Sequence, residues 1–160
     1  MQELVAIAEK IAVILKAKRQ TIAVAESSTG GLISAALLAV PGASAYFQGG
    51  AVVYTRDARR ILMDIPDDAM KGIRSASEPY AKLLATQIRT RFATDWGLSE
   101  TGATGPTGNR YGDAAGHSCI GISGSEQAVM TLETGSADRP ANMHVFAATA
   151  LNFFLQNLER

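Results

Sequence analysis

Residues 21–40 read TIAVAESSTGGLISAALLAV, and the order of residue types in that stretch decides the fold class. Thr21 to Ala25 is short, apolar and bounded, which suits a buried strand. Gly30-Gly31 makes a tight loop, and Leu32 to Val40 is an apolar run of helix length that Pro41-Gly42 stops. Upstream, Leu4, Ile7, Ala8, Ile11, Ile14 and Leu15 recur at three- and four-residue spacing, with Glu3, Glu9, Lys10 and Lys16 elsewhere on the wheel. The opening therefore reads helix, strand, tight loop, helix.

Downstream the alternation continues. Tyr46 to Tyr54 is rich in aromatic and β-branched residues, and Ala51 to Tyr54 is predicted as a strand, with Gly49-Gly50 before it marking a bulge or a close backbone approach. Asp57 to Met63 has a helical pattern, and Ile65 to Asp68 supplies a break and a second helix start. Ser77 is placed to cap a helix carrying Tyr80, Ala81, Leu84, Ala85, Ile88 and Phe92 on one face, with Pro79 in its first turn. A strand follows Asp95 as far as Thr101. The stretch from Gly102 to Gly116 has five glycines and no periodicity, so it is a loop of functional or disordered type. Cys119 to Ile122 and Ala128 to Leu132 form a hairpin pattern through Ser123 to Glu126, and a last amphipathic helix starts near Asp138 and Pro140. Strands alternating with helices, then a hairpin, predict one α/β domain over residues 1–160. Its architecture is a three-layer α/β/α sandwich with a mixed, mainly parallel sheet.

Composition narrows the functions. The chain has 160 residues, with 15 Lys+Arg against 15 Asp+Glu. Zero net charge gives no field to draw it to nucleic acid or to an anionic membrane surface, so neither partner is expected. One cysteine forms no internal disulfide, and His117 and His144 are far apart, so no metal and no cofactor is expected and a cytoplasmic setting fits. Charged residues interrupt every apolar run before it reaches membrane-spanning length, and the start carries no signal-peptide pattern.

Three segments carry candidate chemistry. Glu26-Ser27-Ser28-Thr29-Gly30-Gly31 lies between a strand and a helix, where glycine-hinged N–H groups, hydroxyls and the helix start suit a phosphate or carboxylate. Ordinary capping by Ser28 or Thr29 is the alternative. There is no Walker A lysine and no dinucleotide fingerprint. Ser44 reads as a turn or cap residue when taken alone, and Arg56, Arg59 and Arg60 as a solvated helix face. Thr101-Gly102-Ala103-Thr104-Gly105-Pro106 runs from a strand end into the glycine-rich loop, where open α/β sheets bind ligands.

The ordered set AESSTGG, VPGASAYFQGGAVVY, SASEPYA and TGATGP resembles the C-terminal domain of the competence/damage-inducible CinA family, also found as a stand-alone nicotinamide-nucleotide amidohydrolase. The resemblance runs from about Ala6 to Leu158. It implies a homo-oligomer that hydrolyses the carboxamide of nicotinamide mononucleotide to nicotinate mononucleotide and ammonia. It also implies a serine nucleophile at Ser44 and a neighbouring tyrosine at Tyr54, with Glu26, Ser27, Ser28, Thr29, Gly30, Gly31, Thr101, Gly102 and Gly105 around a small pyridine nucleotide. The family's catalytic lysine falls on Arg59, and a guanidinium stays protonated and takes no proton from a serine. The chain departs from the family pattern at three further points: Ser28 where relatives often carry Cys, an added Glu100, and Asp113-Ala114-Ala115 where a lysine and proline stand. A binding protein that has lost hydrolysis is the alternative to the enzyme.

Overall fold

A computed structural model describes residues 1–160. The apolar run becomes β1 (Ile22–Glu26), with every residue buried. It is flanked on both sides, by β2 (Phe47–Val52) and β3 (Trp96–Ala103), and the sheet continues through β4 (His117–Ser123) to β5 (Gln127–Glu133) in the order β2-β1-β3-β4-β5. β1 is parallel to both neighbours, whereas β4 is antiparallel to β3 and β5. Four strands therefore run one way and β4 alone is reversed.

Three helices, α1 (Gln2–Lys18), α2 (Leu32–Ala39) and α5 (Arg139–Leu158), cover one face, and α3 (Arg56–Met63) and α4 (Glu78–Phe92) lie over the other. The expected three layers follow from the period of two along β1. Ile22 and Val24 join the larger core with Leu98, Ile120, Leu151 and Phe154, while Ala23 and Ala25 join the smaller one with Met63, Tyr80 and Leu84. Ser77 caps α4 by accepting from Tyr80 N, and Asp138 caps α5 by accepting from Ala141 N, as the sequence pattern predicts.

On the α4 side the sheet surface is made of small residues, and the helix sits low on it. Ser99 Oγ donates to Ala81 O at 2.5 Å. A Cβ on Gly97 would fall 2.0 Å from Ala85 O, and one on Gly121 would fall 2.5 Å from Ala81 O. This close approach brings the start of α4, with Tyr80, to the carboxyl end of β3.

Three boundaries differ from expectation. β2 begins at Phe47 and passes straight through Gly49-Gly50, so Val53 and Tyr54 lie beyond its end. Its irregularity falls one residue earlier, because Ile22 faces Phe47 and Ala23 faces Gly49, leaving Gln48 unpaired. The helix start after Pro66 is a single 3-10 turn, Asp67–Met70. β3 runs on to Ala103, and the loop after it is pinned rather than free. Arg74 makes two bonds to Asp113, Asn109 Nδ2 donates to Asp113, and Arg139 Nη1 donates to Gly105 O.

Candidate functional site

The β1–β3 register matches Ala25 with Ser99, so the next residues, Glu26 and Glu100, end adjacent strands side by side, beneath the start of α2. Both side chains are fully buried. Glu26 accepts from the N–H groups of Gly31, Ile33 and Ser34. Glu100 accepts from Ser27 N, Thr29 N, Ser28 Oγ and Ser118 Oγ. Thr29 Oγ1 lies 2.8 Å from Glu26 and 2.9 Å from Glu100. A hydroxyl has one proton to give, so bonding both carboxyls requires one of them to carry a proton. Burial pushes the Glu100 carboxyl up despite its donors, which favours the proton on Glu100.

This corrects the expectation of an open anion seat at Ser27 to Gly31. The seat exists, but the chain fills it with its own two carboxylates. Glu26, Thr29 and Gly31 thereby hold the fold, while Gly30 N is taken by Ser27 O. Of the segment, Ser27 and Ser28 line open space.

That space is a cleft at the carboxyl ends of β1, β2 and β3. Its main lobe, of about 500 Å³, is lined by Ser27, Tyr54, Arg56, Arg59, Asp67, Tyr80, Thr101, Gly102, Arg110 and Tyr111 among others. A second lobe of about 210 Å³ shares Tyr54, Gly102 and Asn109 with it, and adds Ser28, Thr104, Gly105 and Arg139. Together they suit a small ligand in size.

α3 supplies two of the arginines. Arg59 is 7% exposed and is not on a solvated face. Its Nη2 bonds Asp67 at 2.7 Å, and its Nε is sealed without a partner. Arg56 bonds the same carboxylate through Nε and Nη2 and holds its pKa below the usual carboxylate range. Across the lobe, Arg110 Nη2 donates to the Tyr111 phenol at 3.0 Å and holds that phenol below its ordinary value. Arg139 Nη2 donates to the Tyr54 phenol at 3.1 Å. Thr101 Oγ1 accepts from Ala76 N. His117 pins the same segment through Ala76 O at 2.7 Å, and although burial lowers its pKa, the bonds to Glu133 and Ala76 outweigh that and leave the imidazole above its ordinary value.

Tyr54, Arg59, Ser27, Thr101 and Gly102 are thus brought together, with Ser28 and Gly105 in the second lobe. Ser44 is not. It lies exposed in a 3-10 turn, Ala43–Ala45, before β2, beside the start of β1, where Ile22 N bonds Tyr46 O. The length of β2, roughly 3.3 Å per residue, separates it from Tyr54. Arg110, Tyr111 and Arg139 are site residues that pattern reading passes over. A basic and aromatic pair inside a glycine loop is the signal that marks the first two.

Comparison with known proteins bears on the family and the fold. The family model for the CinA C-terminal domain matches residues 4–158. A CinA-like protein of Synechococcus sp. (strain CC9902) is 38% identical over 120 residues, 75% of this chain and 29% of its own length. One from Cyanothece sp. (strain PCC 7425 / ATCC 29141) is 34% identical over 148 residues, 91% of this chain and 35% of its own. The chain spans about a third of the length of such relatives. Among solved structures, a competence-damaged protein (CinA) superfamily protein from Klebsiella pneumoniae 700603 superposes with a TM-score of 0.91 at 22% identity, covering 98% of each chain. A competence or damage-inducible protein from Enterobacter asburiae gives 0.90 at 25% identity, covering 97% of this chain and 98% of its own. With its three layers, its strand order and a match that runs almost end to end, the chain belongs to the CinA C-terminal domain family.

Proposed function

We propose that this chain binds a pyridine nucleotide of the nicotinamide mononucleotide class in the cleft, with the phosphate on the arginines and the flat ring beside Tyr54 and Tyr111. The observation that supports it most is the balance of charge. Arg56 and Arg59 share the single carboxylate of Asp67, and Arg110 forms no ion pair. Three cations facing one carboxylate leave two positive charges, which suits a phosphate monoester near neutral pH. No metal or cofactor enters this reading, and a cytoplasmic setting goes with it. Arg59→Met is expected to weaken nicotinamide mononucleotide binding by about 10- to 100-fold, the worth of one charge-assisted bond, and to leave the phosphate-free riboside unaffected. Calorimetry with both ligands checks this, and equal losses for the two would sink it.

Hydrolysis of the carboxamide by Ser44 is a second reading, and one feature favours it. From Ser27 to Thr55 the chain has no charged residue. This stretch includes β2, an edge strand, with Leu38 and Val52 exposed beside it. An uncharged edge invites pairing. Antiparallel pairing of β2 with a second copy would set Ser44 of that copy near Tyr54 of this one. In this reading the protein is a homodimer by sedimentation, and Gln48→Lys with Val52→Lys makes it a monomer without lowering its melting temperature by more than a few degrees. A monomeric wild type removes Ser44 from the site.

A further inference from the structure

The main lobe of the cleft offers no free proton acceptor, because its one carboxylate, Asp67, is tied to Arg56 and Arg59. One lies behind the second lobe, in contact with a residue that lines it. Ser28 Oγ lies 2.5 Å from Glu100 Oε1, the shortest bond either residue makes to the other elements around it. Ser28 lines the lobe and is 5% exposed, and Glu100 behind it is sealed from solvent. The two residues, more than seventy positions apart in the chain, touch. Glu100 is held from several sides, by Ser27 N and Thr29 N on its other oxygen and by Ser118 Oγ from β4. Its aim at Ser28 is therefore fixed before any ligand arrives. The Ser28 N–H makes no hydrogen bond of its own, which leaves it free for a developing oxyanion.

We infer that Ser28 and Glu100 form a nucleophile and general-base pair at the floor of the second lobe. In the step this geometry allows, Ser28 Oγ bonds to a carbonyl carbon while its proton passes to Glu100 Oε1. The proton then goes to the departing amine as the C–N bond breaks. Water next attacks the ester, gives its proton to Glu100, and releases the carboxylic acid as Ser28 Oγ recovers a proton. The substrate, a carboxamide on a phosphate-bearing ligand, rests on the cleft reading above, but the pair is testable without it. Glu26, reached through Thr29, is the ionisable group facing Glu100, and α2, β3 and β4 offer it only hydroxyl and N–H groups. Burial favours the protonated Glu100 carboxyl at low pH. As pH rises it becomes the acceptor for Ser28.

The test uses a fluorophosphonate, whose P–F bond breaks as the serine oxygen bonds to phosphorus, with fluoride leaving and the proton passing to the base. Peptide mass spectrometry is expected to find the label on Ser28, with a rate that climbs with pH as one group ionises. Ser28→Ala should abolish labelling while the protein still melts cooperatively. Ser118→Ala, which removes one donor from the same carboxyl oxygen, should move the climb to higher pH. A merely structural Ser118 would not do that. Label on Ser44, no label, or a rate independent of pH overturns the pair. Label on Ser28 without release of ammonia from nicotinamide mononucleotide supports the pair and rejects that substrate. Nucleotide binding without label does the reverse.

Discussion

Glu100→Ala is expected to lower the melting temperature by roughly 5–20 °C. The three hydroxyls around the lost carboxylate can turn to other acceptors, but the N–H groups of Ser27 and Thr29 are fixed by the backbone. Two buried main-chain donors without acceptors cost about 2–6 kcal/mol. Glu100→Gln keeps an acceptor oxygen and the volume, so its loss is smaller, and it isolates the charge. The free carboxyl of an unfolded chain titrates near about 4.3, and burial raises the folded value. The contribution to stability is thus complete below the unfolded pKa and is lost as pH rises through the folded one, where the buried group must carry charge. Wild type should lose melting temperature across that window, and Glu100→Gln should lose less. Parallel slopes in the two proteins would show that another group sets the pH dependence.

Gly97→Ala is expected to cost more than an ordinary glycine replacement in a strand. Its methyl would lie 2.0 Å from Ala85 O and 2.9 Å from Arg89 Cβ. The first is backbone of a helix with no freedom to swing aside, so α4 must rise from the sheet. Overpacking of this kind costs about 1–3 kcal/mol, and a main-chain obstacle puts Gly97→Ala at the upper end. Gly121→Ala meets Ala81 O and C at 2.5 and 2.6 Å on the same helix. Once α4 is lifted for one methyl the second needs less room, so the double variant should be more stable than the sum of the singles implies. Chemical denaturation of the four proteins measures this. Strict additivity would mean that each methyl is absorbed locally. Tyr80 rides on α4 and lines the cleft, so the nucleotide binding proposed for the cleft should weaken alongside stability.

Much of this architecture is legible in the chain, because local signals and the tertiary structure agree. The uninterrupted apolar run at Ile22 to Ala25 announces a strand flanked on both sides, and Ser77 and Asp138 announce their helices as caps. β2 is less legible because Gly49 and Gly50 look like an ending. As an edge strand packed beneath Phe92 and Ser34 it tolerates them, since a side chain at either place would collide with those neighbours. The site divides the same way. Tyr54, Thr101 and Gly102 fall in the cleft because strand ends converge there. What was not legible is that Ser27 to Thr29 turn inward. That depends on Glu100, more than seventy residues away, and on a register that no local pattern records. Ser44 and Tyr54 are near in sequence yet sit at opposite ends of one strand, so proximity along the chain misleads.

The carboxylates at the start of α2 also bear on how such a domain can change its ligand. Where a fold greets phosphate with its main chain, the geometry of recognition is welded to the backbone, and a new ligand demands a new loop. Here the main-chain donors of Ser27, Thr29, Gly31, Ile33 and Ser34 are already committed to Glu26 and Glu100. Selectivity therefore falls to side chains on α3 and on the loop after β3, which can be exchanged one at a time while the sheet beneath stays as it is. Arg59, held on α3 against Asp67, is one such side chain.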